Sequence, residues 1–200
     1  MMRKDGESIM TGKLLIITGP SGAGKSTLIR ELSKIDDRFR SVRVYTTRPL
    51  RASETEKQTV SDEVLSEMLV RGELVNINEL HGYKYGPSRA DIEEQLQVGN
   101  VPMIDWAPDR VSQLTKLFPN QTFVVFLQPP SRQILEERLR ATNRTDRLTD
   151  SLAQLDALKR DEYTYDLLLT STNGNIESMA ARVRQVLIGN HTLYDDTRRE

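Results

Sequence analysis

The 200-residue sequence predicts an α/β fold with a central parallel sheet. Three observations support this. Short apolar runs alternate with amphipathic stretches along the whole chain, which is the βαβ pattern. The first run, residues 14–17, is apolar at every position, as in a strand buried on both faces. A glycine-rich turn at residues 19–24 then separates that run from a helical stretch.

The remaining elements follow in the same alternation. Further strands are predicted at residues 42–46, 101–105, 122–127 and 167–170. Helices are predicted at residues 26–32, 62–70, 89–98, 108–117, 131–140, 149–160 and 176–187. Ser88 and Asp91 have the spacing of a capping box, Asn175 is expected to cap the last helix, and Gly189 stands where a helix-terminating glycine belongs.

Two polar segments interrupt the alternation. Residues 48–85 contain one of these helices and a hairpin-like stretch at 74–85, which indicates a subdomain inserted in the single domain. Residues 141–149 are short and rich in arginine and threonine, which is typical of a mobile loop.

Composition excludes several classes of function. Lysine plus arginine number 28 and aspartate plus glutamate number 29, a net charge of −1 that gives no support to nucleic acid as a partner. The chain has no cysteine, so disulfides, cysteine-bound zinc and thiol catalysis are excluded. No apolar run approaches the roughly 18 residues of a membrane span. Residues 1–13 lack the apolar core of a signal peptide, so we expect a cytoplasmic protein without a membrane partner.

The glycine-rich turn matches the phosphate-binding motif G-x-x-x-x-G-K-[ST] in full. Its residues are Gly19, Pro20, Ser21, Gly22, Ala23, Gly24, Lys25, Ser26 and Thr27. Glycines let successive backbone N–H groups turn toward a phosphate, and the following helix adds its positive end. Lys25 is placed to bind the β and γ phosphates, and the Ser26 hydroxyl to bind Mg²⁺. The motif therefore predicts a P-loop three-layer fold that binds ATP with Mg²⁺.

Further along the chain the sequence resembles the guanylate kinase family. The segment Gly19 to Leu28 has that family's form of the loop, and Thr46 to Arg51 is similar to its T-T-R-x-P-R segment with the proline displaced by one. His81 to Gly86 resembles its H-G-N-Y-Y-G turn. Other similar passages are Gln128 to Ser131, Arg138-Leu139 and Tyr165-Asp166, all in the family's order over residues 13–188.

The resemblance implies transfer of the ATP γ-phosphoryl group to GMP or dGMP. It implies one domain over residues 1–200, with a core at 13–47 and 99–188, an acceptor-binding insert at 48–98 and a lid at 141–149. It places the acceptor on Arg48, Arg51, Asn76, Tyr85 and Asp105. Arg48, Arg138, Arg144 and Arg147 would act with Lys25 in catalysis, because guanidinium groups bind phosphate in a bidentate manner. Asp105 would hold Mg²⁺ with Ser26.

The departures from the family are grouped around the acceptor base. Asn76 stands where the family has the glutamate that binds guanine, Pro87 where it has a hydroxyl residue, and Ala107 where it has a second aspartate. An amide cannot reproduce the charge-assisted hydrogen bonds of a carboxylate. These changes are therefore expected to weaken guanine discrimination more than phosphate binding.

Two alternatives stay open at this point. The same kinase chemistry could serve another nucleotide or a small phosphorylated metabolite, which the three changes favour. A non-catalytic guanylate-kinase-like binding module is the other alternative, and the intact Gly24-Lys25-Ser26 argues against it. His81 is expected to be structural, and Trp106 to lie in the core or the wall of a pocket.

Overall fold

The structure is a computed structural model that describes residues 12–50, 54–80 and 82–189. The chain forms two compact units. The first contains Met1–Leu15, Arg40–Ile104 and Ser112–Phe123, and the second contains Ile16–Phe39, Asp105–Val111 and Val124–Glu200.

Nine strands and seven α-helices form within the described residues. The strands are β1 (Leu14–Thr18), β2 (Phe39–Ser41), β3 (Val44–Thr46), β4 (Lys57–Thr59), β5 (Asn78–Leu80), β6 (Tyr83–Pro87), β7 (Val101–Asp105), β8 (Thr122–Gln128) and β9 (Leu167–Thr170). The helices are α1 (Lys25–Ile35), α2 (Asp62–Val70), α3 (Arg89–Gln97), α4 (Val111–Leu117), α5 (Arg132–Ala141), α6 (Leu148–Lys159) and α7 (Ile176–Ile188).

A five-stranded sheet has the order β2-β7-β1-β8-β9. β1 is buried at all five positions, as its continuous apolar sequence predicts. β8 and β9 run parallel, with Leu127 opposite Leu169. The predicted α/β fold with a central parallel sheet is confirmed.

The strand predicted at residues 42–46 is confirmed for Val44–Thr46 but wrong at residues 42 and 43, because the chain changes sheets there. β2 ends at Ser41, and the N–H of Val42 still donates to the carbonyl of Met103. The N–H of Val44 donates instead to the carbonyl of Glu56, beside β4. The apolar pattern of the segment gave no sign of this change of partner.

A second sheet has the order β4-β3-β6-β5. β3 is parallel to β4 and antiparallel to β6, and β5 and β6 form the predicted hairpin. One face of this sheet packs on an apolar cluster of Leu65 and Met68 from α2 together with Leu74. β4 was missed from sequence because Lys57–Thr59 is polar and half-buried or exposed.

Most predicted helices form within one or two residues of their predicted bounds. Ser88 caps α3 by accepting a hydrogen bond from the N–H of Asp91, as the capping box predicts. Gly189 ends α7 with a positive φ of 75°.

Two short 3₁₀ turns depart from the predicted helices and loops. The helix predicted at 108–117 begins as a 3₁₀ turn, Pro108–Arg110. A second 3₁₀ turn, Thr145–Arg147, lies within the polar segment 141–149. Asn175 precedes α7, but its side chain does not cap the helix.

None of the helices in the described ranges combines the length and the apolar character that a membrane crossing requires.

Asp36 joins the end of α1 to α7. Its carboxylate accepts from Nε and Nη2 of Arg38 at 2.9 and 2.7 Å, and from Nε of Arg184 on α7 at 2.9 Å. The Asp36 side chain is 7% exposed, whereas that of Arg38 is 41% exposed, so these ion pairs are shielded from solvent mainly on the side of the carboxylate. The Arg38 hydrogen bond is the main cause that lowers the pKa of Asp36 from 3.8 to about 2, with Arg184 adding to it against the opposing effect of burial.

This pKa predicts an acid-dependent loss of stability. The carboxylate stabilises the fold fully above its unfolded pKa of 3.8, and its contribution is lost as the pH falls to about 2. The expected contribution at neutral pH is about 2 kcal/mol. We therefore expect Asp36→Asn to lower the free energy of unfolding in urea at neutral pH by about that amount, and to flatten its fall between these two pH values.

Asp37→Asn is the matched control, because Asp37 is exposed and adjacent. It should leave both the neutral-pH stability and the acid slope close to those of the unchanged protein. An Asp36→Asn protein with the full acid slope would contradict the assignment.

Candidate functional site: the phosphate loop and the polar sheet face

The phosphate loop leaves the buried strand β1 at Gly19, and the backbone there allows only glycine. Gly19 has a φ of 127°, a conformation that L-residues with side chains rarely adopt. A Cβ at this position would lie 2.1 Å from the carbonyl oxygen of Leu127 in β8. The loop therefore passes directly against the backbone of β8, and the absence of a side chain is what permits that approach.

The loop ends at the start of α1 with its positive helix end open to a ligand. Gly24 precedes the helix in a left-handed conformation, with a φ of 99°. No described side chain caps this helix end, and its first turn contains no acidic residue. Ser26 in this turn is exposed. The partial positive charge of the helix is thus available to an anion, as phosphate binding requires.

Lys25 is the first residue of α1, and its side chain folds back onto the phosphate loop. Its Nζ donates to the carbonyl of Gly19 at 2.7 Å and to that of Pro20 at 3.1 Å. Nζ is also 3.7 Å from Oδ1 of Asp105, and the Lys25 side chain is 12% exposed. A cation this shielded from water can form strong interactions with phosphate oxygens.

Asp105 is held next to Lys25 by two hydrogen bonds of the residue that follows it. The N–H of Trp106 donates to the carbonyl of Ile17, and the hydroxyl of Thr18 donates to the carbonyl of Trp106 at 2.7 Å. Trp106 itself is buried, with its indole N–H bound to the carbonyl of Arg110, so it belongs to the core as predicted. The Asp105 carboxylate remains 44% exposed beside the loop.

Arg138 on α5 joins the loop to the residue that follows β9. Its Nη1 donates to the hydroxyl of Ser171 at 2.8 Å and to the carbonyl of Gly22 at 3.4 Å, and Nη2 donates to the carbonyl of Ser171 at 2.9 Å. The structure therefore places Arg138 at the phosphate loop. Ser171 was not singled out from sequence, because only the fold brings the end of β9 to this loop.

Arg144 precedes the 3₁₀ turn after α5, and Arg147 is the last residue of that turn. The backbone N–H of Arg144 donates to the carbonyl of Leu139 at 2.9 Å, which anchors the turn to the helix. Arg147 lies near Asp146, and its Nε is buried without a hydrogen-bond acceptor among the described residues. A buried N–H of this kind is costly unless a ligand or a water molecule accepts a hydrogen bond from it.

The predicted acceptor residues do not all lie on the second sheet. Tyr85 is on β6, Arg48 follows β3 and Asn76 precedes β5, whereas Asp105 ends β7 of the five-stranded sheet. The register places Tyr85 between Thr46 and Asn78, so these three side chains share one face, named here the polar sheet face. Tyr45 and Ile77 point to the opposite face, where they pack on the apolar cluster of α2. The sheet therefore separates an apolar face covered by α2 from the polar sheet face.

Arg48 extends from the polar sheet face, and its guanidinium group is bound to a carboxylate. Its Nη2 contacts both oxygens of Glu54 at 2.7 and 2.5 Å, and its backbone N–H donates to the hydroxyl of Thr46. Burial disfavours the charge, but Glu54 and a hydrogen bond with Tyr85 outweigh it and raise the pKa of Arg48. Lys57 shares the same carboxylate at 2.6 Å.

Asn76 is bound at both ends of its amide. Nδ2 donates to Oε1 of Gln113 at 2.5 Å, and Oδ1 accepts from the N–H of Ile77 at 2.8 Å. Glu54 and Gln113 were not singled out from sequence, and no local motif marks either of them. Arg51 and His81 lie outside the described residues.

The fold and the loop define the protein class as a P-loop nucleotide-binding protein, in which a parallel sheet presents a phosphate-binding loop at the start of a helix. The family model described as guanylate kinase matches residues 11–189. The guanylate kinase of Thermotoga maritima is 30% identical over 184 residues, which cover 88% of this chain and 87% of that protein.

Two further comparisons agree with the match to the guanylate kinase family model. The guanylate kinase of Paraburkholderia xenovorans is 39% identical over 134 residues, which cover 64% of this chain and 58% of that protein. The crystal structure of guanylate kinase from Anaplasma phagocytophilum has the same fold, with a TM-score of 0.70 at 20% identity over 89% of this chain and 85% of that chain. The chain belongs to the guanylate kinase family, and the resemblance seen in its motifs is confirmed.

The close approach of Gly19 to β8 generates a prediction about stability. Gly19→Ala should lower the free energy of unfolding by at least about 2 kcal/mol, because the new Cβ meets a backbone carbonyl that cannot move freely. Urea unfolding monitored by circular dichroism measures the change.

Gly174→Ala is the control that distinguishes the steric clash with Leu127 from the strain of a positive φ. Gly174 also has a positive φ, 79°, but nothing lies within 4 Å of its Cβ position. This control should cost only about 1 kcal/mol. Equal losses in the two variants would show that the contact with Leu127 does not constrain the loop.

Proposed function

We propose that the protein transfers the γ-phosphoryl group of ATP to GMP or dGMP and releases ADP with GDP or dGDP. The observation that carries this proposal is the intact phosphate loop, with Lys25 shielded from water beside Asp105, in a member of the guanylate kinase family. The curated relatives compared above are guanylate kinases, and they do not favour the alternative functions.

In this proposal the phosphate loop binds ATP. The backbone from Gly19 to Thr27 surrounds the β phosphate, and Lys25 exchanges its contacts with the carbonyls of Gly19 and Pro20 for phosphate oxygens. Its charge then offsets the negative charge of the transferred group, which is the main electrostatic requirement of phosphoryl transfer. Arg138, Arg144 and Arg147 supply further positive charge on the side of α5 and the 3₁₀ turn.

The residues present fit an Mg²⁺ ion that arrives with ATP. Among the described residues no group of three or more His, Cys, Asp or Glu side chains could hold a metal ion by itself. Mg²⁺ commonly binds through one or two protein oxygens together with substrate phosphates and water. The exposed hydroxyl of Ser26 and the partly exposed carboxylate of Asp105 would supply those oxygens, and the ion would offset phosphate charge when bound.

The acceptor phosphate would bind Arg48 and Tyr85. Arg48 is already oriented by Glu54, Thr46 and Tyr85, so a phosphate that replaces the carboxylate of Glu54 meets a positioned guanidinium group. Arg51 would contribute from the same segment, and Asp105 would contact the acceptor. The proposal assigns acceptor binding to residues 48–98 and a lid to residues 141–149. The cytoplasmic location stays a prediction.

The first test measures ADP release from Mg·ATP by the purified protein with different acceptors. GMP and dGMP should stimulate release at least tenfold over the rate without acceptor, while AMP, CMP and UMP should not. Background hydrolysis that GMP leaves unchanged would refute the proposed acceptor. It would leave ATP binding by the loop in place.

Two variants should separate the donor residues from the acceptor residues. Lys25→Ala should lower kcat with GMP at least about 100-fold, because charge stabilisation of the transferred group is lost. Arg48→Ala should raise the KM for GMP about 10- to 100-fold with little change in the KM for ATP. Steady-state kinetics with each substrate varied in turn distinguishes these effects.

Exposed residues of the same types provide the controls. Lys34→Ala lies on the same helix as Lys25, and Arg71→Ala removes an exposed arginine that pairs with Glu73. Both should leave kcat and the two KM values unchanged. A Lys25→Ala protein with normal kcat, or an Arg48→Ala protein with a normal KM for GMP, would remove that residue from the site.

A further inference from the structure

One buried amide oxygen near the proposed acceptor site has no hydrogen-bond partner. Asn78 on β5 is 5% exposed, and its Oδ1 is buried without a donor among the described residues. Nearly all buried polar atoms in folded proteins are hydrogen-bonded, because losing water without a replacement is costly. An unpaired acceptor at this depth suggests a position that is completed by a ligand.

The strand register places this oxygen among the residues proposed to bind the acceptor. Asn78 is directly opposite Tyr85, which is itself opposite Thr46, so the three side chains form a row on the polar sheet face. Arg48 contacts two residues of this row: its backbone N–H donates to the hydroxyl of Thr46, and its side chain is hydrogen-bonded with Tyr85. Ile77 alternates to the opposite face and packs on the apolar cluster of α2. The Asn78 side chain is therefore directed away from that cluster.

Asn76, the residue that sequence reasoning assigned to the base, differs from Asn78 in this respect. Its Nδ2 is bound to Gln113 and its Oδ1 to the N–H of Ile77. A base that used Asn76 would share its Oδ1 with the N–H of Ile77, which already binds one lone pair of that oxygen. Asn78 offers an acceptor that is already free of competing contacts within the described chain.

We propose that Oδ1 of Asn78 accepts a hydrogen bond from the guanine base of the acceptor, at the edge that carries the N1–H and the exocyclic amine. This inference rests on the proposed function, since it names the base of the same acceptor. Adenine has no donor at the equivalent edge positions, so an oxygen acceptor there favours GMP over AMP. This hydrogen bond involves no charged group and gives the buried oxygen a donor. A base without that donor leaves the oxygen unpaired, which costs binding free energy. Asn78 is thus a specificity-determining residue.

The test measures binding of GMP and of AMP to the full chain by calorimetry without ATP, together with steady-state kinetics. Asn78→Ala should raise the dissociation constant for GMP at least tenfold and leave that for AMP within threefold. Asn78→Asp keeps an oxygen acceptor and should restore GMP binding to within threefold of the unchanged protein. The KM for ATP should not change in either variant.

Gln95→Ala is the matched control for loss of a buried amide. Gln95 on α3 is 9% exposed, and its Oε1 also has no donor among the described residues, but it does not belong to the polar sheet face. It should leave GMP binding unchanged. Urea unfolding of all three variants separates a change in ligand binding from a change in folding.

The outcomes decide between the inference and the proposed function. If the unchanged protein phosphorylates GMP and Asn78→Ala binds GMP normally, the inference is wrong and the function stands. Equal loss of GMP binding in Asn78→Ala and Asn78→Asp would show a structural role and would also overturn it. If the unchanged protein binds GMP without phosphorylating it, and Asn78→Ala abolishes that binding, the inference stands and the function fails. If it does not bind GMP at all, both are wrong.

Discussion

The contact between Gly19 and the backbone of β8 is the constraint on which the phosphate loop depends. The loop turns at a φ of 127° against the carbonyl of Leu127, and no side chain could occupy the space between them. This approach fixes where the loop begins relative to β8. Arg138, which follows β8 on α5, then binds both the loop at Gly22 and Ser171 at the end of β9. The ends of two neighbouring parallel strands are thereby joined to one loop.

Two of the cations expected to bind phosphate, Lys25 and Arg48, are held by partners inside the protein. Lys25 is bound to two loop carbonyls and lies near Asp105, and Arg48 is bound to Glu54. A shielded cation without a partner would destabilise the fold, because removal from water is costly for a charge. These internal contacts orient each cation, and in the proposed function a phosphate would replace part of them. Preorganisation of this kind reduces the entropy that ligand binding would otherwise lose.

Local sequence patterns predicted those parts of the structure that depend on local interactions. β1, the helix at Asp62–Val70, the strand at Val101–Asp105 and the cap at Ser88 follow from periodicity and capping residues within a few positions. The phosphate loop was predicted for the same reason, since its whole motif lies within nine residues. The resemblance to the family supplied the candidates at Arg48 and Tyr85.

Those local patterns could not predict which residues distant in sequence pair with one another. The change of sheet between β2 and β3 depends on the partners Met103 and Glu56, which are distant in sequence. The contact of Asn76 with Gln113 spans 37 residues and shows no signal in either segment. Asn78 differs from other polar residues of the insert only through its depth and its register with Tyr85, both of which are properties of the folded sheet. The role of Asn76 in binding the base therefore stays a prediction, whereas its place in the sheet region is now defined by two hydrogen bonds.

In the proposed function, the exchange of the family's glutamate for Asn76 need not end guanine recognition. A carboxylate forms stronger, charge-assisted hydrogen bonds, but it also loses more when it is transferred from water to a buried position. A neutral amide oxygen loses less on burial and can still discriminate, because a base without a donor leaves that oxygen unpaired. Selectivity then depends on how completely the site excludes water. Asn78, at 5% exposure, is in the kind of position where a neutral acceptor is most effective.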